Sequence, residues 1–170
     1  MSKYESQNQD YRWILTAIDV FSRYAFAVPL RRKHKEFTVN TVQTLLNQFE
    51  KKFEKLPHVI QMDDGGEFKN TRVLPLLESK GIKYFSTRVT YKKASIVERF
   101  NRTLKTHMWK FFNDEGSKEW VYVLDSLVQN INESVNRTIG ISPVDVNDKT
   151  EAPVLCQIIW TSSPSCSAKI

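Results

Sequence analysis

QMDDGGEF, residues Gln61–Phe68, closes a short apolar run and opens a glycine turn. The run begins at His58 (HVIQM) and reads as a strand. Asp63 therefore stands at the C-terminal end of a strand, where α/β sheets place their active groups. Gly65 and Gly66 permit a sharp turn and a close approach of backbone to a ligand. The same residues also suit an ordinary turn, because Asp favours turns and Gly supplies the unusual dihedrals. Taken alone, the stretch leaves both readings open.

Working outward from it, the upstream half holds two strands and a helix. Trp13–Val20 (WILTAIDV) is apolar enough for a buried strand. Tyr24, Phe26, Val28 and Leu30 alternate with smaller residues at the period of a second strand, and Phe21-Ser22-Arg23 is short enough to link the two as a hairpin. The basic run Arg31-Arg32-Lys33-His34-Lys35 reads as a solvated loop, a DNA contact or a nuclear-import signal. Val39, Val42, Leu45, Leu46 and Phe49 recur at helical spacing between Glu36 and Lys52, and Pro57 stops them.

Downstream, Val73, Leu76 and Leu77 mark a short helix ended by Gly81, and Ile82–Ser86 (IKYFS) is a further strand. A helix over Ala94–Asn113 carries Val97, Phe100, Leu104, Met108 and Phe111 on one face. A last helix over Lys118–Val135 turns Trp120, Leu124, Leu127, Val128, Ile131 and Val135 inward. A leading hairpin followed by strand–helix alternation predicts an α/β fold, a mixed sheet with helices on its faces.

The 170 residues suffice for one domain with a real core. A net charge of +6 favours polyanionic partners. No apolar run approaches the roughly 20 residues of a membrane span, and the polar start MSKYESQNQDYR has no signal-peptide block. An intracellular setting is expected. Cys156 and Cys166 have no metal-ligand spacing and suggest no disulfide framework.

KKASIVERFNRTLK, Lys92–Lys105, supplies a second carboxylate. Glu98, Arg102, Lys105 and Trp109 share one polar face of the helix. Glu98 and Arg102 could be an ordinary i,i+4 pair worth tenths of a kcal/mol. They could also be a metal ligand with phosphate-contacting cations beside it. Phosphodiester cleavage or transfer must stabilise charge on the attacking and the leaving oxygen, which two Mg²⁺ ions about 4 Å apart can do. Mg²⁺ takes hard oxygen ligands and keeps several waters, so a few carboxylates from different elements are enough. Nearby Lys and Arg hold a DNA backbone without reading its sequence.

Four blocks in order, DVFSRYAFAVPL, QMDDGGEF, ASIVERFNRTLK and NRTIGISPVDV, make the chain resemble the catalytic core of retroviral and retrotransposon integrases. The likeness is strongest to the integrases of Maverick/Polinton-type elements. It covers about Tyr11 to Leu155 and implies an RNase H-like fold with D,D-E polynucleotidyl-transfer chemistry. Asp63 matches the Asp of the family's T-D-N-G-x-E-F block, with Asp64 at the Asn position, and Glu98 matches the Glu of V-E-R-F-N, 35 positions on. The resemblance implies Asp63 and Glu98 as catalytic ligands of Mg²⁺ or Mn²⁺. It implies Lys92, Lys93, Arg99, Arg102 and Lys105 as DNA-backbone contacts. It further implies DNA as partner, a homodimer or higher oligomer, and a nuclear location.

The family's first catalytic Asp lies on a strand preceding the hairpin, and this sequence shows neither that strand nor its Asp. Asp19 sits by resemblance where the family often has a non-catalytic Asp. It could substitute as a metal ligand, or bond backbone or hydroxyl groups at the strand end near Ser22 or Arg23. Asp10 lies in a polar stretch without strand pattern. Because the first strand is central in an RNase H-like sheet, its loss leaves the Trp13 strand and the Met62 strand without a shared neighbour. Instability or aggregation of the isolated chain is expected. Residues 1–155 are assigned to a partial integrase core. Residues 156–170 (CQIIWTSSPSCSAKI) show no helical period and are assigned to a non-homologous or disordered tail. The competing expectations are a catalytically inactive, transposon-derived remnant that binds nucleic acid or protein, and a hydrolytic RNase H-like nuclease.

Overall fold

The computed structural model describes residues 6–32, 35–62, 72–86 and 95–162. Strands β1 (Trp13–Ile18) and β2 (Ala25–Leu30) pair antiparallel, with Trp13 opposite Leu30 and Ile18 opposite Ala25. Helix α1 (Lys35–Phe53) follows. Strand β3 (Val59–Met62) runs parallel to β4 (Lys83–Ser86), and α2 (Val73–Ser79) lies between them in sequence. Then come α3 (Ser95–Glu115), α4 (Leu124–Glu133), a 3-10 turn at Pro143–Asp145, and α5 (Glu151–Ser162).

Among the described residues the strands form two separate two-stranded sheets, β1–β2 and β3–β4. The architecture is nevertheless the expected one, a mixed set of strands flanked by helices. Alternation along the hairpin fixes its two faces. Ile14, Ile18, Ala25 and Ala27 pack with Phe100, Leu104, Met108 and Phe112 of α3 and with Leu124 and Val128 of α4. Leu15, Ala17, Phe26 and Val28 turn the other way, onto Leu45, Phe49 and Phe53 of α1. A third cluster joins Val39, Val42 and Leu46 of α1 to Val73, Leu77, Ile60 and Ile82. Helix α1 thus contributes to a core on each of the two sheets.

The two edges of the hairpin are treated differently. The Asp19 N–H donates to the Tyr24 carbonyl at 2.8 Å, which makes 19–24 a hydrogen-bonded pair. By alternation, 18–25, 16–27 and 14–29 are non-hydrogen-bonded pairs whose backbone groups point away from the partner strand. Pro29 occupies one of those positions, so its missing N–H costs the ladder nothing. At Ala25 the outward groups are capped by a side chain. Asn132 of α4 accepts from the Ala25 N–H at 2.8 Å and donates to the Ala25 carbonyl at 2.9 Å. The β1 edge, at Ile14, Thr16 and Ile18, is the one that faces away from β2, and β1 is only partly buried where β2 is almost wholly so.

A polar segment holds the hairpin's N-terminal approach in place. Asn8 is fully buried; its amide donates to the Lys118 carbonyl at 2.9 Å and accepts from the Val121 N–H at 3.1 Å. This ties residues 6–10 across the connection between α3 and α4.

Three sequence expectations change. The last expected helix begins six residues later, at Leu124, with Trp120 buried in the turn before it. Val135, expected inward, is 70% exposed. The helix has already ended at Glu133, because Ser134 turns extended while its N–H and hydroxyl bond back to the Asn130 carbonyl at 3.1 and 2.6 Å. The stretch after Leu155, read as having no helical period, continues α5 to Ser162. Glu151 in the first turn complements the helix dipole, and Val154 anchors the helix in the interior. Leu155, Ile159 and Trp160 are exposed, so the apolar residues of this helix do not keep to one side and no amphipathic period shows in the sequence.

Candidate functional site

Glu98 lies in the first turn of α3 and is exposed. The helix is fixed from its opposite face by Phe100, Leu104, Met108 and Phe112, spaced so that each reaches the same core cluster. At about 100° per residue, Glu98, Arg102, Lys105 and Trp109 fall within a stripe about 60° wide. All four are exposed, Trp109 to 54%. One solvent-facing stripe therefore carries a carboxylate at its N-terminal end, two cations beyond it and an indole ring. Such an arrangement can hold a cation at one end and track a polyanion along the rest, with the ring offering a stacking surface.

Arg99 departs from that stripe. It sits about 100° round the helix from Glu98 and lines a separate cleft with Ile96, Thr103 and His107 of α3. The expected set of backbone-contacting cations is therefore divided: Arg102 and Lys105 accompany Glu98, and Arg99 faces elsewhere. Asp63, Lys92 and Lys93 lie outside the described residues.

Glu98 is a hard oxygen donor of the kind Mg²⁺ takes. Among the described residues, no group of three or more His, Cys, Asp and Glu side chains comes together to enclose a metal ion. Asp19 takes the hydrogen-bonding role of the two open to it. Its Oδ2 accepts from the Ser22 N–H and from the Ser22 hydroxyl, each at 2.7 Å, and its carbonyl accepts from the Arg23 N–H at 3.0 Å. These bonds commit Asp19 to closing the hairpin turn.

Sequence reasoning missed Arg23 and Arg137 as cleft residues. The signal for Arg23 is conformational. It adopts φ +60°, a region that favours Gly, Asn or Asp. A long cation held there is a reason to look at what its side chain reaches.

Integrase catalytic cores are among the solved structures with a similar arrangement of strands and helices. A chain of the simian T-cell lymphotropic virus intasome, solved in complex with the PP2A regulatory subunit B56 gamma, superposes with a TM-score of 0.69 at 18% identity, covering 79% of this chain and 49% of that one. The HTLV-2 integrase catalytic core domain in complex with magnesium superposes with a TM-score of 0.62 at 18% identity, over 76% of this chain and 80% of that one. In sequence, a transposon-derived protein of Caenorhabditis elegans is 38% identical over 146 residues, 86% of this chain and 49% of the relative. The Pol polyprotein of feline endogenous virus ECE1 is 28% identical over 138 residues, 80% of this chain and 13% of the polyprotein. Residues 3–93, more than half of the chain, match the integrase core domain. The chain belongs to the integrase core domain family. It spans about half the length of its transposon-derived relative and a small part of the viral polyprotein.

No helix among the described residues is long and apolar enough to cross a membrane.

Proposed function

We propose that this chain is the catalytic-core portion of an integrase that joins DNA ends to a target by strand transfer. The observation that carries the proposal is the exposed α3 stripe, with Glu98 at its start and Arg102 and Lys105 beyond, in a chain of this family. In this reading Asp63 and Glu98 hold Mg²⁺ or Mn²⁺. A metal held there would supply stabilisation of the charge that develops on the attacking and leaving oxygens. Arg102 and Lys105, with Lys92 and Lys93, neutralise the phosphates flanking the reacting bond and fix its position relative to Glu98. Arg99 serves the same DNA from the neighbouring face. Residues 1–155 form the core portion in this proposal, and its setting is the nucleus, with the basic run from Arg31 to Lys35 as the import signal. Self-association accompanies the activity, a reading supported by the dimeric and trimeric forms of the HTLV-2 integrase catalytic core domain.

The test is a strand-transfer assay with labelled duplex ends in Mg²⁺ or Mn²⁺, comparing the chain with Glu98→Gln. The substitution keeps size and removes the anionic donor, and product is expected to fall at least about a hundredfold. Equal product from both proteins would remove Glu98 from the site. A second reading, a nucleic-acid-binding remnant without catalysis, is favoured by the separation of the β1–β2 and β3–β4 sheets. It predicts salt-sensitive DNA binding in both proteins and metal-dependent product in neither.

A further inference from the structure

A cleft of about 460 Å³ opens between the end of β1, the first turns of α3, and the segment after α4. It is separate from the Glu98 stripe. Arg23, Arg99, Arg137 and His107 line it, and among the described residues its lining contains no Asp or Glu. The remaining walls are aliphatic and aromatic, with the hydroxyls of Thr103, Ser134 and Thr138 among them.

Each cation is held there by a built element. Arg23 ends the Asp19–Ser22 turn in its left-handed conformation, at φ +60°. That conformation is disfavoured for any non-glycine residue. Arg99 is fixed by α3, whose next residue, Phe100, is buried in the core. Arg137 belongs to a tight loop closed on Asn136, whose N–H donates to the Ile141 carbonyl at 3.0 Å. The Asn136 carbonyl accepts from the Gly140 N–H at 2.8 Å, and its Oδ1 accepts from the Thr138 N–H at 2.9 Å. Ile139 in the same loop is buried, which pins it to the body of the domain.

The Arg23 guanidinium is the telling group. Its Nε and Nη1 are sealed from solvent and have no hydrogen-bond partner among the described residues. A buried cationic donor without an acceptor is costly, and guanidinium nitrogens are ordinarily satisfied by carboxylate, phosphate or carbonyl oxygen. Burial and, next, the charge of Arg99 press the Arg23 pKa downward, against the weaker opposing pull of Asp19. Two like charges are thus brought together, and among the described residues only the Asp19 carboxylate, committed to Ser22, opposes them.

We propose that this cleft is a binding site for a phosphate group, taken by Arg23 and Arg99 with Arg137 closing over it. A tetrahedral oxyanion supplies several acceptors at once and cancels the repulsion between the two arginines. Apolar side chains beside the arginines lower the local dielectric and strengthen the interaction. The phosphate can be free or part of a nucleic-acid strand, and the two sources are distinguished below. The site stands on its own geometry and does not depend on Glu98 being a metal ligand.

The experiment is calorimetric titration of the chain with inorganic phosphate at constant ionic strength, chloride making up the balance. Saturable binding at one site per chain is expected. Arg99→Gln, on an exposed helical position, and Arg23→Gly, which suits the left-handed backbone, should each weaken it at least tenfold. Lys110→Gln, on an exposed part of α3 outside the cleft, should leave it unchanged. Circular dichroism of each variant establishes that the fold is retained. A short single-stranded oligonucleotide is then titrated against the phosphate-saturated protein. Competition that is lost in Arg99→Gln assigns the site to a nucleic-acid phosphate, and absence of competition assigns it to free phosphate. No saturable phosphate binding, or equal affinity in the wild-type chain, Arg23→Gly and Arg99→Gln, overturns the proposal.

Discussion

Asn132→Ala tests how the outer edge of the hairpin is kept. Asn132 is 3% exposed and Ala25 is 1% exposed, so water does not reach the bonds between them. The side chain satisfies both the N–H and the carbonyl of Ala25. Truncation removes both partners and leaves two buried backbone groups unpaired, each at about 1–3 kcal/mol. The expected loss is about 2–5 kcal/mol, a large part of the roughly 5–15 kcal/mol that holds a domain of this kind together. Urea unfolding followed by tryptophan emission is the appropriate assay. Trp120 is 0% exposed and belongs to the same core cluster as Ala25, whereas Trp13, Trp109 and Trp160 are exposed. Asn132→Asp retains an acceptor for the Ala25 N–H but sets a carboxylate oxygen against the Ala25 carbonyl. It should be at least as damaging at neutral pH and partly recover in acid, where a protonated carboxyl can donate again. Asn130→Ala, on the exposed side of α4, should change stability by no more than about 0.5 kcal/mol. A loss below about 0.5 kcal/mol for Asn132→Ala would refute the reasoning, because it would mean that Ala25 finds other partners at no cost.

Three further outcomes are expected. Arg102→Ala and Lys105→Ala should each lower the slope of log affinity for duplex DNA against log salt by about 0.9, read by fluorescence anisotropy between roughly 50 and 200 mM salt, and an unchanged slope would remove that residue from the phosphate contacts. Asp19→Ala should destabilise the chain by about 2–3 kcal/mol, since the carboxylate accepts two bonds from Ser22; Ser22→Ala should cost less, because it leaves the bond from the Ser22 N–H in place. Burial holds the Tyr24 phenol above its ordinary pKa of 10.0, and the Glu133 charge adds to this while a hydrogen bond with Asn132 opposes it. The native state therefore favours the neutral phenol. Its contribution is complete below pH 10.0 and is lost as the pH rises through the higher native value. In urea titrations at alkaline pH, Tyr24→Phe should flatten that decline, and an equal decline in both proteins would count against the burial argument.

The strands and long helices were legible because their apolar residues obey one period each. Phe26 and Val28 alternate with Ala25 and Ala27, and Phe100, Leu104 and Met108 repeat along one face, where the structure buries Phe112 in place of the expected Phe111. The separation of the two sheets was legible only through the family resemblance, since no local pattern encodes a neighbour. Asn8 and Asn132 were not legible. Each looks like an ordinary surface amide, and its value lies in partners 107 to 113 positions away. The division of the α3 cations could have been read from the helical angle. The cleft around Arg23 could not, because β1, α3 and the Asn136 loop meet only in the folded chain.

Helix α1 has a consequence for the order in which the molecule comes apart. Its Leu45, Phe49 and Phe53 grip the β1–β2 hairpin, while Val39, Val42 and Leu46 grip β3, α2 and the approach to β4. No strand pairing backs up that double hold among the described residues. A protein built this way has two cooperative units sharing one helix, and the smaller unit can open while the larger stays closed. Native-state amide exchange should therefore separate two sets of protons. Those of β3 and β4 should exchange through a low-energy partial opening. Those of β2 at its hydrogen bonds with β1 should wait for global unfolding.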